Sequence, residues 1–109
     1  MDKNGYNPSI LQADHSRCYI CGSRNQKLDR HEVFGGAYRE KSKRHGLWVS
    51  ICHDRCHLNG VHKFNTMALT LKQDAQLKAM CKLDWTTPKF IVEFGKNYLT
   101  DFIGDNTNA

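Results

Sequence analysis

Four cysteines in two tight pairs, Cys18/Cys21 and Cys52/Cys56, constrain this chain more than any other feature. A C-x2-C turn presents two thiolates from one short loop, and two such turns close a tetrahedron around Zn²⁺. The second pair, Cys52-His53-Asp54-Arg55-Cys56, is spaced C-x3-C, which leaves His53 and His57 as alternatives to Cys56 for the fourth ligand. The competing readings are reduced buried cysteines or a redox C-x2-C. The N-terminal residues Met1 to Leu11 are polar and lack the apolar stretch of a secretory signal, so thiolates and metal are expected rather than disulfides. The fifth cysteine, Cys81, stands alone in a helical pattern and reads as a small buried hydrophobe.

A chain of 109 residues forms one domain with a thin core, for which a metal is one of the few staples available. Structural zinc supplies on the order of 10–16 kcal/mol of apparent binding energy in small peptides. That exceeds the net stability of many whole domains.

Residues 1–14 are Asn-rich with Gly5 and Pro8 and read as a flexible arm. In the knuckle Cys18-Tyr19-Ile20-Cys21-Gly22, the glycine supplies the positive φ that such turns often need. Lys27 to Phe34 reads as a strand ending at Gly35-Gly36, residues 37–46 as a charged loop, and Leu47 to Ile51 as a second strand. Beyond Gly60 the period changes to that of a helix. Phe64, Met67, Ala68, Leu71, Ala75 and Ala79 share a face over residues 64–82, with Leu77 and Met80 on a neighbouring stripe. Thr87-Pro88 starts a last helix, Thr87 as cap, which carries Phe90, Phe94 and Tyr98 on one face and ends near Leu99. The folded domain is expected over residues 15–103, with a disordered polar tail at 104–109.

The composition, 39% hydrophobic and 25% charged, is that of a globular protein. No apolar run approaches the roughly 20 residues needed to span a bilayer, so a cytoplasmic protein without a membrane partner is expected. A net charge of +5 favours a polyanionic partner, though many basic domains bind no nucleic acid. Arg39, Lys41, Lys43 and Arg44 crowd the loop between the strands, beside Tyr38, and could lie along a phosphate backbone. Arg55 projects from the second cysteine pair and is a candidate contact to a scissile phosphate. For any one of these cations the plainer reading is a solvated surface charge.

Six histidines are an excess for this length, and their places matter more than their number. If the cysteine pairs close on one ion, the strand carrying His31 and the segment carrying His57 and His62 are forced together. Three imidazoles then converge beside the zinc frame. A lone histidine is more often a surface or capping residue, and His15, His45 and His53 are read that way.

The order of C-x2-C, a strand with a histidine, a second strand, Cys…Cys-His and a further histidine resembles the HNH endonucleases of the ββα-metal fold. The strings RHEVFGGAYREKSKRHGLWVSIC, GVH and FGKNYL look like the small HNH proteins of bacteriophages and prophages. The resemblance covers roughly residues 18–99. It implies an α+β fold: a zinc-knuckle-framed ββα-metal core with additional C-terminal helices. It further implies metal-dependent hydrolysis of DNA phosphodiesters in a bacterial host cell, by a monomer or a homodimer.

By that resemblance His31 is the general base, and His57 and His62 serve a catalytic divalent cation (Mg²⁺, Mn²⁺, Ni²⁺ or Zn²⁺). Many HNH proteins place an Asp or His just before the base as a metal ligand, whereas this chain has Arg30. Either Asp29 takes over as ligand, or the register shifts so that His31 is the ligand and Glu32 the base; His31 as base is favoured. The chemistry asks for these residue types in any case. A neutral histidine can take a proton from water near pH 7, and a cation can neutralise charge developing on phosphate. Nothing in the sequence looks like a base-reading element, so low sequence specificity, or specificity for DNA structure, is expected.

Two rivals remain. A zinc-finger DNA-binding module would keep the cysteines and the basic loop and have no use for the three histidines together. A zinc peptidase would use His53-Asp54-x-x-His57, but that motif needs a full helical turn, and the flanking Cys52 and Cys56 suit a knuckle instead.

Overall fold

A two-stranded sheet of this kind has little stability alone and must bury a face against something else. In the computed structural model, which describes residues 1–24 and 26–99, strands β1 (Leu28–Glu32) and β2 (Trp48–Cys52) pair antiparallel. The register sets Leu28 opposite Cys52, Arg30 opposite Ser50 and Glu32 opposite Trp48. α1 (Arg39–Arg44) lies in the connection between the strands, and α2 (Asn65–Lys82) and α3 (Thr87–Phe94) come after β2. The result is a small α+β protein. Among the described residues no helix is long and apolar enough to cross a membrane.

β1 is shorter than its sequence suggests: the Val33 N–H still donates to the Leu47 carbonyl at 3.1 Å, but Phe34 turns to α1 for its partners. The Phe34 N–H donates to Ser42 Oγ at 3.0 Å and its carbonyl accepts from the same hydroxyl at 2.7 Å. Ser42 is fully buried on α1, so the stretch expected as a charged loop is instead a short helix. Its residues, REKSKR, are good helix formers, but without apolar spacing they leave no periodic signal. Gly46, at φ +72°, turns the chain into β2, and an added Cβ there would meet the Pro8 carbonyl at 2.3 Å.

All five residues of β2 are buried. Its outer edge is covered by residues 7–19, the greater part of them in the segment read as an arm. The Ser50 N–H donates to Gln12 Oε1 at 2.8 Å, the Trp48 carbonyl accepts from Ser9 Oγ at 2.7 Å, and the Tyr19 N–H donates to the Ser50 carbonyl at 2.8 Å. An unpaired strand edge is a liability, and this segment satisfies it. Tyr6 and Leu11 are buried against the domain, Tyr6 edge-on to Trp48 at 5.1 Å between ring centres.

On the other side Phe34 packs against Phe94, Phe90 and Tyr98, with ring centres 4.6, 5.4 and 5.4 Å away. α3 is capped by Thr86, whose hydroxyl accepts from the Lys89 N–H, one residue earlier than expected. It ends at Gly95, at φ +81°, rather than near Leu99. Tyr98 is therefore not on the helix; buried Gln76 holds it, accepting from the Tyr98 N–H and donating to Asn97 Oδ1, both at 2.8 Å.

α2 buries Leu71, Ala75 and Ala79 as its period requires. Phe64, expected on that face, precedes the helix and is half exposed; of the neighbouring stripe Leu77 faces solvent while Met80 packs against the core. Cys81 is exposed, not buried, because it lies off the Leu71–Ala75–Ala79 face. The end of the expected domain and the polar tail lie outside the described residues.

Candidate metal centre and histidine cleft

The cysteines come together. One Sγ from each of Cys18, Cys21, Cys52 and Cys56 lies within 4.8 Å of all the others, and Cys21 Sγ is 3.9 Å from Cys52 Sγ. Zn–S bonds of about 2.3 Å in a tetrahedron imply S–S edges of about 3.8 Å, so this group could hold a zinc ion. The first pair sits in a turn in which the Gly22 N–H donates to the Cys18 carbonyl, and Gly22 takes the expected left-handed conformation, φ +76°. Cys18, Cys52 and Cys56 are buried and Cys21 is exposed. The Ser23 hydroxyl and backbone, then Arg55, pull the Cys21 thiol down to about 5, while burial pushes the Cys56 thiol up.

Arg55 belongs to this centre and not to the histidines. Its Nη2 donates to Cys21 Sγ at 3.2 Å and to Ser23 Oγ at 2.9 Å.

The second cysteine pair is not a simple knuckle. From His53 to Val61 the backbone is π-helical, with hydrogen bonds reaching five residues back, a rare form found mostly as single turns at functional sites. The wider turn brings residues four and five apart onto one side. His53 and His57 therefore both meet Asp29, and His57 Nε2 comes to 2.9 Å from His62 Nε2. The helical turn thought absent for a peptidase motif is present; Asp54, its side chain 85% exposed, has Oδ1 3.9 Å from His53 Nε2.

His31 completes the cluster from β1. Its ring centre lies 5.3 Å from that of His57 and 5.7 Å from that of His62, and one nitrogen from each ring lies within 4.8 Å of the others. These rings open into a cleft of about 500 Å³ whose rim carries Glu32, Arg39 and Lys72. Burial, then the neighbouring His57 and His62, hold the His31 ring down to about 4, so it is neutral at pH 7.

Side-chain alternation along β1 puts Asp29 and His31 on one face and Arg30 and Glu32 on the other. Glu32 accordingly accepts from the Tyr6 hydroxyl at 2.5 Å and from Arg39 Nε at 2.7 Å. Asp29 Oδ2 accepts from His53 Nδ1 at 2.6 Å and from His57 Nδ1 at 2.8 Å. Burial works against the Asp29 carboxylate, but the hydrogen bonds from His57 and His53 outweigh it and hold its carboxyl below the usual value.

Of the cations expected along DNA, only Arg39 lines the cleft. Lys43 lies over the Tyr6 ring at 4.9 Å, and Arg44 is exposed with its carbonyl accepting from Asn7 Nδ2. Lys41 lies close enough to Glu93 to help hold that carboxyl below its usual value, an effect that burial opposes and hydrogen bonds from His45 and Lys89 reinforce. Lys72 was missed. It follows Ala68 by one helical turn, and both face the cleft, so the period of α2 carried the signal. His53 was set aside because its partner, Asp29, is 24 residues away.

His15 and His45 do not line the cleft. His15 stacks on Trp48, with ring centres 4.7 Å apart, and meets Ser50 Oγ. His45 pairs with Glu93 at 3.1 Å.

Comparison with protein-family models, with curated proteins and with solved structures finds no match to this chain.

Proposed function

We propose that this protein is an HNH-type endonuclease that uses a divalent cation to hydrolyse DNA phosphodiester bonds, within a ββα-metal core framed by zinc on Cys18, Cys21, Cys52 and Cys56. The observation that carries the reading is the meeting of His31, His57 and His62 in one cleft, from two separate stretches of chain, β1 and the segment that begins at His53.

His31 is the general base. It is neutral at pH 7 and shares the cleft with the other two rings, whereas both oxygens of Glu32 are engaged by Tyr6 and Arg39. The His31 ring takes the proton of the attacking water. His57 and His62 converge through their Nε2 atoms, donors that suit Ni²⁺ or Zn²⁺ directly and Mg²⁺ or Mn²⁺ only with oxygen ligands from water or phosphate added. When bound, such a cation supplies Lewis-acid stabilisation of charge on the phosphate. Arg39 and Lys72 on the rim attract the flanking phosphates, a sequence-independent contact that favours low sequence specificity or recognition of DNA structure. Phage or prophage origin and action in the cytoplasm of a bacterial host rest on the resemblance of RHEVFGG, GVH and FGKNYL alone.

The test is plasmid nicking by zinc-loaded protein with added Mg²⁺, Mn²⁺ or Ni²⁺. His31→Ala is expected to lower cutting by about 10²–10⁴-fold while zinc content and DNA binding stay at wild-type levels. If none of these cations supports cutting by the wild type, the cysteine centre and basic surface describe a zinc module that binds DNA without catalysis.

A further inference from the structure

We infer that Asp29 is a positioning residue, not a cation ligand: its carboxylate accepts a hydrogen bond from the Nδ1–H of His57, so that the His57 Nε2 lone pair faces His62 and His31. His53 holds that carboxylate in place.

A carboxylate only accepts, so the 2.8 Å contact from His57 Nδ1 to Asp29 Oδ2 puts the proton on the nitrogen. A neutral imidazole carries one such proton, and its other nitrogen, Nε2, is then a lone pair. That nitrogen lies 2.9 Å from His62 Nε2, on the side of the cleft. A carboxylate behind a metal-binding histidine, fixing its tautomer and orientation, is the usual support of such a ligand.

The competing arrangement is a second cation site on Asp29, His53 and His57, whose donor atoms also lie within 4.8 Å of one another. His57 belongs to both trios. To serve a cation on each side its ring would have to lose both protons. The Asp29 contacts, at 2.6 and 2.8 Å, have the length of charge-assisted hydrogen bonds. They are also sheltered, the Asp29 and His57 side chains being only 21% and 17% exposed. Strand alternation and the wide helical turn build this contact. Asp29 shares a face of β1 with His31, and His53 and His57 descend on it from one side of the π-helical segment. The His53 N–H donates to the Lys27 carbonyl at 2.9 Å, which anchors the start of that segment beside β1.

The inference rests on the reading of His57 and His62 as cation ligands but needs no DNA cleavage. Histidine tautomers are read by long-range ¹⁵N–¹H NMR of zinc-loaded, ¹⁵N-histidine-labelled protein near pH 7.5, without other divalent ions. His57 is expected in the Nδ1–H form in the wild type. Asp29→Ala is expected to shift it toward the Nε2–H form and to weaken Mn²⁺ binding, followed calorimetrically, by about 10–100-fold, with Asp29→Asn recovering part of the loss. His53→Gln is expected to weaken Mn²⁺ binding less than Asp29→Ala.

An Nε2–H tautomer in the wild type would overturn the inference, and this measurement needs no variant to fold. So would Mn²⁺ binding abolished by His53→Gln as fully as by His57→Ala, which makes Asp29 and His53 ligands. A protein with the expected tautomer and Mn²⁺ affinity that fails to cut DNA would refute the nuclease reading and leave the role of Asp29 standing.

Discussion

The hydroxyl of Tyr6 donates to Glu32 Oε2 at 2.5 Å, across 26 residues of sequence, and fastens the first turn of the chain to the strand neighbour of His31. With Arg39 on the other carboxylate oxygen, Glu32 is a structural link between the N-terminal segment, β1 and α1.

Tyr6→Phe removes a hydrogen bond to a sheltered carboxylate and is expected to cost about 2 kcal/mol, measured by urea denaturation. Burial, followed by the Glu32 contact, pushes the Tyr6 phenol up to about 12. A raised value favours the protonated form in the fold, so this contribution is present below pH 10 and is lost as pH rises from 10 to 12. The gap in stability between wild type and Tyr6→Phe should be constant from pH 6 to 9 and shrink above 10. A gap that widens there would contradict the assignment.

Removing the ion expected at the cysteine centre should remove the fold with it. Binding energy of about 10–16 kcal/mol for structural zinc exceeds what a core this thin supplies. Purified protein is expected to hold one zinc per chain by elemental analysis, and Cys52→Ser to lose both the zinc and the cooperative thermal transition. A zinc-free protein with an unchanged melting curve would show that the four sulfurs are merely neighbours.

Gly46→Ala tests whether the N-terminal segment is integral. The residue has φ +72°, which costs about 1–2 kcal/mol with a side chain present. Its Cβ would lie 2.3 Å from the Pro8 carbonyl and 3.2 Å from the Ile10 nitrogen. A total loss of about 2–4 kcal/mol is expected, along with faster proteolysis within residues 1–14 as the edge of β2 loses its cover. Unchanged stability would mean that this edge is covered some other way.

Lys72→Ala addresses the cleft rim. If Lys72 meets a phosphate, the slope of log affinity for DNA against log salt should become shallower by about 1, uniformly across sequences. Zinc content should not change. Lys43→Ala, whose ammonium lies over the Tyr6 ring, should leave that slope as it is. A shallower slope from Lys43→Ala and none from Lys72→Ala would place DNA along α1 rather than across the histidines.

The elements written in local chemistry could be read from the residues alone. The paired cysteines announce a common ion, β-branched and aromatic residues mark Trp48–Cys52 as a strand, and the three- and four-residue spacing of Leu71, Ala75 and Ala79 marks α2. Gly22 declares its turn because glycine alone enters the left-handed region without strain. The histidines of the cleft were visible as residues, and their convergence follows from closing the two cysteine pairs on one point.

What escaped that reading depends on partners far along the chain. α1 has no apolar period, and what shows on which side it packs is a buried Ser42 bonded to Phe34. The segment 1–14 is polar and aperiodic, yet it folds down because an edge strand with open backbone groups would otherwise stay unsatisfied. His53 acquires a partner only when the helical segment widens by one residue per hydrogen bond and sets it on Asp29. Such matches are not encoded at any local spacing: backbone groups and carboxylates accept whichever donor the packed chain brings, and packing is settled by the whole molecule at once.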